Sequence, residues 1–349
     1  MAKKVYRAAV IGTGGMGNHH AKSIAENKRL KLVAAMDVFE KSVNAFAEQH
    51  QVPGYTDLEK MIRKHKVNVV FVTTWQNVRA ELTVLAAQQP GIIGIFGEKP
   101  MAASLGEAQQ MISVCKKNGA KLVIGHQRRY TSQNIEARRL IASGAIGQPQ
   151  TMLRRDGQGL LNRGTHEIDE MRYILGDPKP LWAYAQVTRN TDKWERRVRC
   201  EDRCMINICF DGGIRGIYES DLPEPGLCGH AVYGDEGILR RGDNRTLQLS
   251  NSRSAGWQVI TPEPSGNSQH DDFVAYLDGD IKRHRNQGEI AKVTMEIMMA
   301  VYESARSRDV VQFPLRVKKN PLDLMVEEGQ LIPEGDRYDI RAPFPEQKT

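Results

Sequence analysis

The feature that most constrains this fold is the run Gly12-Thr13-Gly14-Gly15-Met16-Gly17, which follows the apolar stretch 7–11 and opens a helical pattern at Asn18-His19-His20-Ala21. Glycines spaced this way between a strand and a helix mark the turn of a βαβ unit that accepts a dinucleotide. Gly12 permits the tight turn, Gly14 lets the backbone approach a pyrophosphate, and Gly17 lets helix and strand pack closely. The helix N-terminus adds free N–H groups and the positive end of its dipole. Thr13, Gly15 and Met16 complete the loop that would touch the cofactor. Asp37 follows Gly17 by about 20 residues, where a carboxylate accepts hydrogen bonds from ribose hydroxyls and repels a 2′-phosphate. NAD is therefore expected rather than NADP. The bland reading of these residues is a tight strand-to-helix turn with Asp37 as a surface cap.

The same alternation continues through the N-terminal part. Apolar runs at 7–11, 32–36, 67–73, 92–96 and 122–124 read as strands, and 17–26, 41–50, 57–65, 79–88 and 105–118 as helices. This is the pattern of a parallel sheet wrapped by crossover helices, so residues 1–125 are expected to form a doubly wound Rossmann domain. After Tyr130 the texture changes to a helix at 133–143 and strands at 150–154, 182–188, 205–210, 214–220 and 231–233. Their connections are rich in Gly, Asp and Asn and no helix alternates with them, which predicts a mostly antiparallel sheet in an α+β domain over 126–317. Ile290, Val293, Ile297 and Val301 repeat at helical spacing. From Lys318 onward, Pro321, Pro333, Pro343 and Pro345 among charges predict an extended tail over 318–349.

A chain of 349 residues outgrows a single core. No apolar run approaches the roughly 20 residues that span a bilayer, so a membrane protein is not expected. The net charge of +7 comes from Lys and Arg interspersed with Asp and Glu, and Arg128-Arg129, Arg154-Arg155 and Arg240-Arg241 are isolated pairs. No nucleic-acid partner is expected. Cys115, Cys200, Cys204, Cys209 and Cys228 make an odd count, which argues against a disulfide framework. Cys200 and Cys204 have no second close pair, so no metal is expected. With no apolar leader before the first strand, a reduced, cytoplasmic setting is expected.

Glu98-Lys99-Pro100 follows the 92–96 run. It joins Met16-Gly17 with His20, the segment 125–130 ending in Arg129-Tyr130, Gly164-x-His166-x-x-Asp169, and His270-Asp271-Asp272-Phe273 before the last amphipathic helix. In this order the set resembles the Gfo/Idh/MocA family of sugar, inositol and bile-pigment oxidoreductases over residues 5–317. The resemblance implies a nucleotide domain and an α/β domain whose large open sheet often makes the subunit interface, with an active site between domains. It also implies a homo-oligomer, dimer or tetramer, and a small carbohydrate substrate.

By the same resemblance, Lys99 stands at the family's active-site lysine, which contacts the reacting hydroxyl, where an ammonium stabilises alkoxide charge. Pro100 shapes the turn and is a candidate for a cis bond. His166 stands at the catalytic histidine, suited to take the hydroxyl proton and return it in reduction. Asn162 replaces an aspartate that many family dehydrogenases carry; a carboxamide orients a hydroxyl but accepts no proton. Thr73, Thr74, Trp75 and Asn77 occupy a stretch where the family often has Pro-Asn and a histidine. Thr73, Thr74 and Asn77 are expected at the cofactor. Trp75 either walls the nicotinamide pocket or packs as a strand-end hydrophobe. Arg79, in the usual histidine place, is expected on the helix surface. Glu98 is expected to hold a structural or cofactor-side hydrogen bond, and Arg129 and Tyr130 to face the substrate. His20 is expected to pack, and Asp169 to orient His166 or cap its helix.

The expected function is hydride transfer between NAD and a secondary hydroxyl of a sugar, glycoside or cyclitol. One alternative, kept open by Asn162, is a glycoside-cleaving enzyme using tightly held NAD in a transient oxidation-elimination-reduction cycle. Another is a protein that senses NAD without chemistry.

Overall fold

A computed structural model describes residues 4–156, 159–220 and 230–341; Cys228, Pro343 and Pro345 lie outside these. The chain forms two compact units, Met1–His126 with Asn267–Lys292, and Gln127–Gly266 with Val293–Thr349.

The first unit begins with β1 (Tyr6–Ile11), α1 (Gly15–Glu26), β2 (Leu30–Met36), α2 (Glu40–His50), β3 (Gly54–Tyr55) and α3 (Leu58–His65). It continues through β4 (Val69–Val72), α4 (Gln76–Ala87), β5 (Gly94–Gly97), α5 (Leu105–Lys117) and β6 (Lys121–Ile124). The strands pair in parallel in the order β3-β2-β1-β4-β5-β6. This is the doubly wound order, whose switch point lies between β1 and β4. Helices cover both faces, so β4 and β5 are buried at every position and read as unbroken apolar runs. Ser104 and Glu107 form a capping box that starts α5. β3 escaped the periodicity because two residues carry no pattern.

The second unit contains α6 (Ser132–Ala142), β7 (Pro149–Arg155), α7 (Thr165–Ile174), β8 (Pro180–Thr188), β9 (Thr191–Glu195), β10 (Val198–Arg199), β11 (Arg203–Phe210) and β12 (Arg215–Glu219). β13 (His230–Gly234), β14 (Gly237–Arg241), β15 (Leu247–Asn251) and β16 (Gln258–Ile260) follow. The expected mostly antiparallel sheet is present: among the described residues it has nine strands, of which only β7 and β12 pair in parallel. Alternate residues such as Ala183, Ile206, Tyr218, Met152, Val232 and Leu239 are buried on one face, while Tyr184, Met205, Tyr233 and Val259 are exposed.

Next, α8 (Gln269–Asp278) groups with the first unit, although the sequence plan kept it within 126–317. Phe273 packs edge-on against Phe96 with ring centroids 5.5 Å apart, and Tyr6 Oη donates to Asp278 at 2.7 Å. The remaining elements are α9 (Gly288–Ser307), β17 (Val311–Gln312), α10 (Pro321–Glu327) and β18 (Glu334–Asp339). The segment from Lys318 is thus more than an extended tail. Asn320 caps α10 with Pro321 in its first turn. β18 pairs in parallel with β9, and Asp339 accepts from the N–H groups of Arg196 and Arg197. Among the described residues no helix is long and apolar enough to cross a membrane.

Candidate cofactor site and active-site residues

β1 hands the chain to Gly12, whose φ of +95° lies in the left-handed region and whose Cβ position falls 2.9 Å from Thr74 N. Only glycine adopts this without strain. Gly17 is closed sterically, since a Cβ there would stand 2.2 Å from the Gly12 carbonyl oxygen. Gly14 and Gly15 differ, because nothing lies within 4 Å of a Cβ built on either. Two closed glycines therefore hold the turn and two open ones form a cradle at the start of α1, where the N-cap Gly14 provides no side-chain cap. Met16 is exposed beside them.

The loop is braced from two sides. Asp37 Oδ2 accepts from Thr13 N and Thr13 Oγ1 at 2.8 and 2.9 Å, and Asp37 Oδ1 accepts from Phe39 N at 3.1 Å. Asn18 Nδ2 donates to the carbonyl oxygens of Thr13 and Gly14 at 3.2 and 3.1 Å. His50 Nε2 donates in turn to Asn18 Oδ1 at 2.8 Å. An open cradle, a helix N-terminus and a fixed carboxylate at the end of β2 fit the pyrophosphate and ribose of a dinucleotide.

Beside this loop, Thr73 Oγ1 donates to the Gly12 carbonyl at 2.5 Å. Trp75 is the N-cap of α4 and 40% exposed, which speaks against ordinary core packing. Thr74 is half-buried and Asn77 exposed. Arg79 requires a correction: it is 4% exposed, and its guanidinium donates to the carbonyl oxygens of Thr74 and Pro100. The signal was available, since Gln76, Arg79, Ala80, Thr83 and Ala87 share the buried helical stripe of α4.

The Lys99–Pro100 peptide is cis, and Lys99 is half-buried. Glu98 Oε2 accepts from Lys99 N at 3.2 Å, and Glu98 Oε1 accepts from His20 Nε2 at 2.9 Å. Burial alone would raise the Glu98 carboxyl, but the His20 bond and the charges of His20, Arg79 and Lys99 hold it below the usual range. His20 Nδ1 and His270 Nε2 stand 2.9 Å apart, within hydrogen-bond distance. Burial, with His20 and His19 nearby, pushes the His270 imidazole down to about 3. His20 packs as expected, its ring against Phe71 and Phe96, and is also the middle of a buried polar chain. Partners 78 and 250 positions away leave no trace in local sequence.

In the second unit, Asn162 lies in a π-turn over Leu160–Gly164, and His166 in the first turn of α7 that follows; both are 7% exposed. Such π segments are rare and cluster at functional positions. Every residue of α7 is buried, charged ones included. Glu167 and Glu170 are met by Arg128, Arg154 and Arg241.

Arg129, expected at the substrate, is 1% exposed and donates to Asp169 Oδ2 and Oδ1 at 2.7 and 2.8 Å and to Asp177 Oδ2 at 3.1 Å. Burial would favour the neutral guanidine, yet Asp169 and Asp177 outweigh it and hold Arg129 protonated. Tyr130 is buried as well. Asp169 also accepts from Thr294 Oγ1 at 3.0 Å, so its oxygens serve this cluster rather than a helix cap. The structure therefore gathers the glycine loop, Asp37, Thr73, Thr74, Trp75, Asn77, Glu98 and Lys99 on the first unit, while Arg129, Tyr130, Asn162 and His166 belong to the second.

A doubly wound sheet with an open glycine cradle and a ribose-side carboxylate defines a dinucleotide-binding protein. Residues 6–126 match the oxidoreductase family described as having an NAD-binding Rossmann fold. The inositol 2-dehydrogenase of Rubrobacter xylanophilus is 31% identical over 256 residues, covering 69% of this chain and 70% of that enzyme. The chain belongs to the Gfo/Idh/MocA oxidoreductase family, and its cofactor is NAD. The inositol 2-dehydrogenase of Salmonella typhimurium is 27% identical over 186 residues, 49% of this chain and 55% of that enzyme. In fold, the chain is similar to the WlbA dehydrogenase from Bordetella pertussis in complex with NADH and UDP-GlcNAcA. The TM-score is 0.76 at 19% identity, covering 90% of this chain and 100% of that one.

Proposed function

We propose that this chain is an NAD-dependent dehydrogenase acting on a secondary hydroxyl of a cyclitol or sugar. The observation that carries the reading is the open cradle at Gly14 and Gly15 with Asp37 fixed at its edge. Its relatives named inositol 2-dehydrogenase point to the substrate class. When bound, NAD supplies the hydride acceptor.

The chain's own groups would do the rest. Backbone at Gly14, Gly15 and Met16 holds the pyrophosphate, and Asp37 accepts from the adenosine ribose. Thr74, Trp75 and Asn77 line the nicotinamide side. The Lys99 ammonium stabilises negative charge on the substrate oxygen. The His166 imidazole takes the hydroxyl proton, and Asn162 orients the hydroxyl through its amide. The glycoside-cleaving alternative finds no support among these relatives, which are named dehydrogenases.

The test offers purified protein a panel of inositols and sugars with NAD or NADP and follows reduced cofactor by absorbance. NAD-linked turnover that collapses in Lys99→Ala and His166→Ala is expected. Normal turnover in the double variant, or NAD binding with no reduction across the panel, would overturn the reading. The exposed sheet face with Tyr184, Met205 and Tyr233 supports a homo-oligomer. Tyr184→Glu should then shift sedimentation to a smaller species, and an unchanged species would remove that face from the interface.

A further inference from the structure

A π-turn leaves the N–H groups of its first residues without intrahelical acceptors, and a short polar side chain at the N-cap usually serves one of them. In Leu160–Gly164 the N-cap is Gly159, which has no side chain to offer. The acceptor comes from elsewhere in the chain. Leu160 N donates to Glu201 Oε1, while Tyr302 Oη donates to Glu201 Oε2 at 2.6 Å. A Cβ at Gly159 would stand 3.4 Å from Glu201 Oε1, so the carboxyl group rests against the backbone where the turn begins. Glu201 and Tyr302 are both fully buried.

Burying a carboxyl group is costly unless its oxygens are hydrogen-bonded, and an apolar side chain would fill the space at less cost. Burial does raise the Glu201 carboxyl, despite the bonds from Tyr302 and Leu160. Two of its partners are the start of the segment that carries Asn162 and His166, and an anchor on α9. We infer that Glu201, anchored by Tyr302, is a positioning residue that fixes the π-turn and the first turn of α7, and so sets where Asn162 and His166 stand. Its effect on turnover rests on the roles proposed above for those two residues; its effect on their placement does not.

The experiment uses the full chain with histidines carbon-13 labelled and the His166 resonance assigned by His166→Asn. Glu201→Ala should move that resonance and leave those of His20 and His284 in place. Glu201→Gln, which keeps an acceptor for Leu160, should restore most of it. In the dehydrogenase assay, Glu201→Ala should lower kcat about 100-fold, the scale of a small misplacement, with NAD affinity unchanged. Tyr302→Phe should fall between Glu201→Ala and wild type. An unmoved resonance, or unchanged kcat in a folded variant of an active enzyme, overturns the inference. If Glu201→Ala does not fold, Tyr302→Phe and Glu201→Gln decide by the same two readouts. If wild type reduces no cofactor, the resonance alone decides placement, and the failure belongs to the dehydrogenase reading.

Discussion

Alanine at Gly17 and at Gly14 would separate the two jobs of the phosphate loop. At Gly17 the new Cβ would meet the Gly12 oxygen at 2.2 Å, whereas real Cβ atoms stay beyond 3.0 Å, so helix and turn must part by the difference, about 0.8 Å. Overpacking of this kind costs about 1–3 kcal/mol, offset by up to about 1 kcal/mol from the better helix former. A shift of that size also misaligns N–H groups aimed at a charged phosphate, each worth about 1.5–3 kcal/mol, or roughly 10- to 150-fold in affinity. Gly14 has φ −72° and ψ −164°, which alanine adopts, and open space around it. Its replacement should change stability by no more than about 1 kcal/mol. The methyl group would still stand where backbone must approach the pyrophosphate, so NAD should weaken at least about tenfold, or about 1.4 kcal/mol. Urea unfolding of the apoprotein and calorimetric titration with NAD read the two effects separately. Wild-type NAD affinity in Gly14→Ala would refute the cradle, and an undiminished midpoint in Gly17→Ala would refute the steric argument.

Asp37→Ala removes the acceptor for Thr13 N, Thr13 Oγ1 and Phe39 N together with the charge that disfavours a 2′-phosphate. NAD affinity should fall at least about tenfold and the preference over NADP should shrink, as measured by paired titrations; an unchanged ratio would contradict the assignment. Arg129→Met removes the two-pronged guanidinium partner of the buried Asp169 carboxylate and should cost about 3–5 kcal/mol in urea unfolding, with an unaltered midpoint as the contrary result. His270 is held down to about 3 against an ordinary 6.5, so the native state keeps it neutral while the unfolded chain binds a proton. The stability this represents is complete above pH 6.5 and is lost as pH falls toward 3; His284, held down to about 4 by burial, acts in the same sense. His270→Gln should therefore flatten the acid limb of stability between pH 6.5 and 4, and a limb as steep as wild type would dismiss this origin.

The second sheet shows where sequence patterning loses its grip. β8 and β11 alternate buried and exposed residues and were readable as strands. β9, with Asp192 and Lys193 at its centre, and β18, Glu-Gly-Asp-Arg-Tyr-Asp, carry no apolar alternation. They are strands because they pair with each other, and because Asp339 holds the turn at Arg196 and Arg197. In the segment read as an extended tail, Asn320 caps α10 and Pro321 stands in its first turn, so a proline counted toward extension instead begins a short helix.

The phosphate loop belongs to what sequence alone determined. Its requirements are a positive φ at Gly12, a close approach at Gly17 and a carboxylate one strand away, all expressed within thirty residues. The tertiary structure alone decided that Arg129 serves Asp169, that Arg79 ties Thr74 to Pro100, that His20 bridges Glu98 to His270, and that Glu201 caps the turn before His166. Each of these is a polar group taken out of water, and a buried polar group must find whatever partner the fold brings near. The identity of that partner is a property of chain topology, and local spacing does not encode it.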